Sequence, residues 1–178
     1  MNSRIETLKT AQLNSDDVLF IFRDNGILVA ERSEQVRLPI ASEINLNDSD
    51  NASVFRLEGG WALSASSLKD QSISRELQFR PLRDTLTRFA IPIAKDAALG
   101  AQLVNWSVSA QFCGTCGNRL EFAEKQVAKF CPKCSKHVYP QLSPVVITLI
   151  RRGREILLIK SRQRSYFSCV AGFVEPGE

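Results

Sequence analysis

The sequence predicts an α+β fold, because strand patterns fill its first part, helix patterns follow, and strand patterns return near its end. The first strands are V-L-F-I-F, which begins at Val18, and I-L-V-A, on either side of Asn25-Gly26. Asn and Gly both tolerate positive φ, so this pair predicts a hairpin turn. Gly59-Gly60 predicts a second hairpin turn. We therefore expect a β-rich N-terminal domain over residues 1–95.

Two helices are predicted at the end of this domain and just after it. Pro81 suits a first helical turn, and the apolar residues that follow it fall on one helix face, at Leu82, Leu86 and Phe89. A second helix is expected over residues 97–110, with Asp96 as its N-cap. Its apolar stripe predicts packing against a core, and it consists of Leu99, Leu103, Trp106 and Ala110.

Two Cys-x-x-Cys pairs follow the second helix, fourteen residues apart, and they comprise Cys113, Cys116, Cys131 and Cys134. Four thiolates at such spacing can form a tetrahedral shell around Zn²⁺. Two disulfides, or four buried cysteines without a metal, are the alternative interpretations. The spacing favours a zinc ribbon, and we assign residues 96–140 to a linker helix and this ribbon. His137 is not needed as a ligand, because the four sulfurs complete the shell.

The composition narrows the class of protein. With 44% hydrophobic and 24% charged residues among 178, the chain has the composition of a soluble globular protein. Its net charge of +4 is far below the basic load of a dedicated nucleic-acid binder. No apolar run reaches the length of a membrane span, and the N-terminus does not resemble a signal peptide. Paired cysteines fit a reducing compartment, so we expect a cytoplasmic protein with no membrane partner.

Strand patterns return at residues 145–150 and 156–159, on either side of the basic turn R-R-G-R. A third apolar segment ends in V-A-G-F-V-E-P-G-E, where five residues separate Gly172 from Glu178. This segment resembles the opening of a Nudix box, whose full pattern continues with Arg-Glu-x-x-Glu-Glu. Taken with the four-cysteine ribbon and the Y-P-Q-x-x-P segment that begins at Tyr139, the chain resembles the NADH pyrophosphatase branch of the Nudix hydrolases.

The resemblance implies that residues 141–178 begin a Nudix domain, an α/β/α sandwich that is incomplete in this sequence. It implies a hydrolase that cleaves NAD(H) or other dinucleotide pyrophosphates, with NMN(H) and AMP as the products of NAD(H). Removal of NAD caps from RNA 5′ ends is implied as well. The implied cofactors are a structural Zn²⁺ and a catalytic Mg²⁺ or Mn²⁺, and the implied assembly is a homodimer. A carboxylate-held divalent cation suits this chemistry, because it screens the phosphate charge and activates water.

Roles for individual residues also follow from the resemblance. Glu178 matches the first glutamate of the box and is the catalytic candidate, and the backbone carbonyl of Ala171 would join the Mg²⁺ or Mn²⁺ shell. Tyr139 and Phe173 match residues that stack on bases, and Arg83 would contact the substrate. The alternatives are that Tyr139 packs against the ribbon, that Phe173 packs in a core, and that Glu178 is a solvated carboxylate.

Three further expectations complete the interpretation. The basic residues Lys160, Arg162 and Arg164 either attract phosphate or belong to a solvated loop. The sequence reaches only the first glutamate of the box, so we expect the chain as given to be truncated and inactive. The alternative function is a zinc-ribbon module that binds nucleic acid or protein, although the ribbon lacks the clustered Lys and Arg with interleaved aromatics that typify such modules.

Overall fold

The computed structural model describes residues 5–7, 13–32, 35–45, 53–68, 73, 76–124, 126–163 and 165–177. The chain divides into two compact units, Met1–Pro140 and Gln141–Glu178, and each is considered by itself. The predicted α+β class, with many strands, few helices and a four-cysteine ribbon, is confirmed. The further division of the first unit at residue 95 stays a prediction.

A mixed sheet forms the centre of the first unit. Its strands in the described residues are β1 Ile5–Thr7, β2 Leu19–Arg23, β3 Gly26–Arg32, β4 Gln35–Arg37, β5 Ser53–Arg56, β6 Trp61–Ser64 and β7 Leu77–Pro81. Their order is β1-β5-β6-β2-β3-β4, and β7 pairs with β3. Strands β2 and β6 run parallel, whereas the other pairs are antiparallel. Short 3-10 turns occur at Ala41–Glu43 and Ala65–Ser67.

Both faces of this sheet are buried, because side chains alternate along each strand. On β2, Leu19 and Ile21 belong to one core cluster, whereas Phe20 and Phe22 belong to a second cluster on the opposite face. The second cluster includes the apolar side of the long helix and apolar residues of the ribbon. The N-terminal sheet, the helix and the ribbon therefore share one core.

The first predicted hairpin is confirmed, although its turn lies one residue earlier than expected. Strands β2 and β3 pair with Arg23 opposite Gly26, so Asp24 and Asn25 form the turn and Gly26 begins β3. Asp24 adopts the positive φ, 51°, that such a two-residue turn requires. The second hairpin joins β5 and β6 through residues 57–60, as predicted, with the Leu57 N–H donating to the Gly60 carbonyl.

Two helices follow the sheet, α1 Leu82–Leu86 and α2 Ile91–Ser109. The predicted start of the second helix was wrong, because α2 begins six residues before residue 97, with Pro92 in its first turn. Asp96 is therefore inside the helix and is not its N-cap. Its carboxylate instead accepts a hydrogen bond of 2.6 Å from the Gly59 N–H, which ties the β5–β6 hairpin to α2. The described residues contain no helix long and apolar enough to cross a membrane.

The ribbon sheet has the order β10-β9-β8, and its strands are β8 Glu121–Phe122, β9 Lys129–Phe130 and β10 His137–Val138. The second unit contains β11 Val145–Thr148, β12 Arg151–Arg152, β13 Glu155–Ile156 and β14 Val170–Phe173. Strand β11 pairs antiparallel with β14, and β12 with β13 across the predicted basic turn. A bridge between Ile159 and Ser168 closes the intervening loop.

Candidate metal centre and substrate-binding residues

The four ribbon cysteines converge on one point. Their Sγ atoms all lie within 4.8 Å of one another, and all four are free thiols. The Sγ–Sγ distance is 3.5 Å between Cys116 and Cys131 and 3.6 Å between Cys113 and Cys134. Neighbouring sulfurs of a tetrahedral zinc centre with bonds of about 2.3 Å lie about 3.8 Å apart. The residues present therefore fit Zn²⁺ with little adjustment.

Two knuckles with the same backbone geometry hold these thiols. The carbonyl of Cys113 accepts a hydrogen bond from the Gly117 N–H, and that of Cys131 accepts one from the Ser135 N–H, both at 2.8 Å. Gly117 and Ser135 occupy equivalent positions and both adopt positive φ, 70° and 58°. Glycine adopts this conformation without strain. The glycine at residue 117 therefore indicates a positive φ from the sequence alone, whereas a serine at residue 135 does not.

The electrostatics of the cluster favour a bound cation. Backbone N–H groups of Thr115 and Cys116 donate to the Cys113 thiol and lower its pKa to about 6. At Cys134, the Lys136 N–H lowers the pKa, but the neighbouring Cys131 thiol and burial outweigh it and raise the pKa to about 12. Four adjacent thiols resist full ionisation, because thiolates repel each other. A divalent cation at the centre would remove this conflict.

A zinc ion held here would have a structural role. Four sulfurs fill its tetrahedral shell and leave no position for water or substrate. Among the described residues, the group that could hold a metal consists of these cysteines, and His137 is not part of it. The His137 ring instead lies 5.2 Å from the Phe130 ring and 6.3 Å from the Tyr139 ring. The prediction that His137 is not a ligand agrees with this arrangement.

Lys129 joins the ribbon to the rest of the first unit, and the sequence analysis missed it. Its side chain is buried, and its Nζ donates to the carbonyls of Ser107 and Ala110 at 2.5 and 2.7 Å. These carbonyls lie at the C-terminal end of α2, where a cation is favourable. The rings of Phe122 and Trp106 lie 5.0 and 5.8 Å from Nζ. Burial lowers the pKa of Lys129.

Tyr139 lies just beyond β10, with 52% of its surface exposed. The Tyr139 ring lies 6.3 Å from the His137 ring, so this residue contacts the ribbon while about half of its surface is exposed, and its role in binding a base stays a prediction. Its hydroxyl donates to the Gln126 Oε1 at 3.4 Å. Gln126, Phe130 and His137 line a cavity of about 410 Å³ on the ribbon. Gln126 is a polar group at this cavity that the sequence did not single out, because a lone Gln in a loop carries no motif.

The remaining predicted residues are distributed over both units. Arg83 lies on α1, with an exposed side chain, in the same unit as Tyr139. Ala171 and Phe173 lie on β14, opposite Ile147 and Val145 of β11. The two residues share one face of the strand, and 69% of Phe173 is exposed. Glu178 lies outside the described residues. Whether these residues form one site stays a prediction.

Comparison with known proteins identifies the ribbon first. Residues 109–139 match the family described as the NADH pyrophosphatase zinc ribbon domain. This match covers the four cysteines and Tyr139.

Longer matches extend beyond the ribbon. The chain is 32% identical over 162 residues to the NAD-capped RNA hydrolase NudC of Pseudomonas fluorescens strain Pf0-1, which covers 89% of this chain and 55% of that protein. It is 40% identical over 103 residues to the protein of the same name from Chromobacterium violaceum, covering 57% and 39% of the two chains. A third relative of this name, from Deinococcus radiodurans, is 42% identical over 88 residues, or 46% and 31% of the two chains.

By these matches, the chain is similar to Nudix proteins that contain a zinc ribbon. More particularly, it is related to the NADH pyrophosphatase branch of the Nudix hydrolases, as the resemblance of its motifs predicted. The chain spans about half the length of the curated relatives that it matches along most of its length.

Proposed function

We propose that the complete protein is a Nudix hydrolase that cleaves the pyrophosphate of NAD(H) to NMN(H) and AMP. We propose further that it removes NAD caps from RNA 5′ ends and acts as a cytoplasmic homodimer. The observation that carries the proposal is the order of features along the chain: the four-cysteine centre, then Tyr139, then Gly172 and Glu178 at the box spacing. The name that these relatives share, NAD-capped RNA hydrolase, supports the same substrate class.

Separate parts of the protein would perform separate tasks. Zinc would hold the ribbon and so fix the position of Tyr139. Tyr139 and Phe173 would stack on the bases of the dinucleotide, since exposed aromatic rings bind bases in this way, and Arg83 would contact a phosphate. The Ala171 carbonyl and Glu178 would help to hold Mg²⁺ or Mn²⁺. When bound, that ion would screen the phosphates and activate water.

The proposal is tested with protein expressed from the complete reading frame. We expect release of AMP from NADH that requires Mg²⁺ or Mn²⁺ and stops with a chelator. Glu178→Gln should lower kcat by about tenfold or more if the carboxylate belongs to the metal site. Glu175→Gln is the matched control, because it removes a carboxylate from the same E-P-G-E segment. We expect residues 1–178 alone to show no turnover.

Absence of NADH and capped-RNA hydrolysis by the complete, zinc-loaded protein would refute the proposed activity. Equal effects of the two glutamate substitutions would refute the specific role of Glu178 while leaving the activity in place.

A further inference from the structure

The second unit carries most of the excess positive charge of the chain. Residues 141–178 contain six Lys and Arg residues and three Glu residues, whereas the whole chain has a net charge of +4. Arg152 is neutralised by Glu155, at 2.8 Å. Lys160 and Arg162 are exposed, and neither has an acidic partner within the part of the chain that the structure describes. Their charge is therefore available to an anion in solution.

Two exposed aromatic residues lie beside these cations. Tyr166 is 57% exposed and Phe167 is 63% exposed. The Lys160 Nζ lies 5.4 Å from the centroid of the Phe167 ring, within the range of a cation–π interaction. Exposed aromatic rings beside cations are a combination that proteins use to bind single-stranded nucleic acid, because bases stack on the rings and phosphates contact the cations.

The loop that carries these four residues is fixed at both ends. Ile159 and Ser168 exchange backbone hydrogen bonds of 2.8 and 2.9 Å, which close the loop at its base. Ser168 leads directly toward β14, where Ala171 and Phe173 lie. The loop therefore starts from a defined anchor, a few residues before β14.

We propose that Lys160, Arg162, Tyr166 and Phe167, here called the basic–aromatic loop, bind the single-stranded RNA that follows the cap. Bases stack on Tyr166 and Phe167, and Lys160 and Arg162 contact the phosphates. This inference rests on the proposed function and assigns a surface to the RNA part of that substrate. Exposed cations beside the rings favour RNA over an apolar protein partner, which would have to desolvate them.

The first experiment compares two substrates of the complete protein, NADH and an NAD-capped RNA of about ten nucleotides, a length that exceeds a few stacked bases. The double variant Tyr166→Leu/Phe167→Leu keeps apolar bulk and removes both rings. We expect kcat/KM for the capped RNA to fall about tenfold, as loss of base stacking predicts, while kcat/KM for NADH is unchanged. Thermal unfolding of the variant verifies that it folds.

The second experiment separates local contacts from net charge. Lys160→Gln/Arg162→Gln removes two charges from the loop. The matched control Arg151→Gln/Arg154→Gln removes two charges from the β12–β13 hairpin of the same unit. We expect only the loop variant to weaken binding of the uncapped RNA. It should also reduce the slope of log affinity against log salt by about 1.4, as expected for two lost phosphate contacts on a single strand.

Distinct results would overturn the proposal. Equal losses on NADH and capped RNA would mean that the loop serves the cap or the fold, and equal losses in the two charge variants would mean that only net charge matters. If the complete protein hydrolysed neither substrate, the proposed function would fail. Fluorescence anisotropy with the uncapped RNA would then still decide whether the loop binds RNA.

Discussion

Glu31 shows how one side chain can connect three parts of the first unit. It lies on β3, and its carboxylate accepts hydrogen bonds from Arg80 on β7, at 2.7 Å, and from Arg88 after α1, at 2.6 Å. The hydrogen bonds from Arg88 and then Arg80 lower the pKa of Glu31. The pair of arginines thus holds the carboxylate in its ionised form and ties the turn after α1 to the sheet.

The lowered pKa of Glu31 predicts a pH-dependent loss of stability in Glu31→Gln. Its carboxylate binds protons less readily in the folded chain than in the unfolded chain, so its contribution is fully present above the unfolded pKa, about 4.3. That contribution is lost as the pH falls through the lower folded pKa. Urea unfolding should show a lower midpoint for the variant at neutral pH and a narrowing difference in acid.

Glu58→Gln is the matched control for that experiment, because Glu58 is exposed and has no cationic partner among the described residues. Its midpoint should follow that of the unmodified chain at every pH. A difference between Glu31→Gln and the unmodified chain that stays constant into acid would contradict the ion-pair explanation.

At the scale of elements, the contact between α2 and the sheet depends on Gly100. Its position on the buried face of α2 brings the helix backbone close to β2 and β6. A Cβ at residue 100 would lie 2.9 Å from the Ala62 Cβ and 3.2 Å from ring and methyl carbons of Phe22 and Leu57. A glycine normally weakens a helix. Here it allows an approach that a side chain would prevent.

Gly100→Ala therefore sets two effects against each other. Alanine gains about 1 kcal/mol of helix propensity, whereas overpacking of a tight core costs about 1–3 kcal/mol. We expect a net loss of about 1 kcal/mol in the free energy of unfolding, measured in urea. Ala98→Gly, on the exposed side of α2, should cost about 1 kcal/mol from propensity alone. A stabilised Gly100→Ala variant would show that the helix can move away from the sheet.

The elements differ in how much of them the sequence could predict. The cysteine spacing and the hairpin signals are local, so the ribbon and both N-terminal hairpins were predicted, the first hairpin with its turn one residue too late. Asp96 misled the N-cap prediction because its residue type suits a cap, whereas the real start of α2 is signalled by Pro92. The parallel pairing of β2 with β6 depends on contacts distant in sequence, which no local pattern reveals.

At the scale of the whole molecule, the ribbon is both a metal centre and a support for α2. Cys131 lies next to β9, whose Lys129 binds the last carbonyls of α2. Whether a lysine is buried depends on residues that are distant in the sequence. The position of Lys129 near a cysteine therefore does not predict its burial. The predicted substrate residues lie in two separately described units. Their assembly into one site therefore stays a prediction that local patterns cannot test.

The connection through Lys129 predicts that loss of zinc will loosen α2 as well as the ribbon. Cys131→Ser should bind no zinc, compared with about one ion per chain for the unmodified protein, because three sulfurs and a hydroxyl hold the ion poorly.

The ribbon then unfolds, since a structural zinc site contributes directly to folding. Lys129 loses its fixed position, and hydrogen exchange should accelerate in the last turn of α2 as well as in β8–β10. The middle turns of α2, where Ala97 and Ala101 are buried in the core cluster, should stay protected. Cys169→Ser is the matched control, because Cys169 lies in the second unit and outside the zinc group. It should keep the metal, measured by atomic emission, and the exchange pattern of the unmodified protein. Full protection of residues 106–110 in zinc-free Cys131→Ser would contradict the coupling between ribbon and helix.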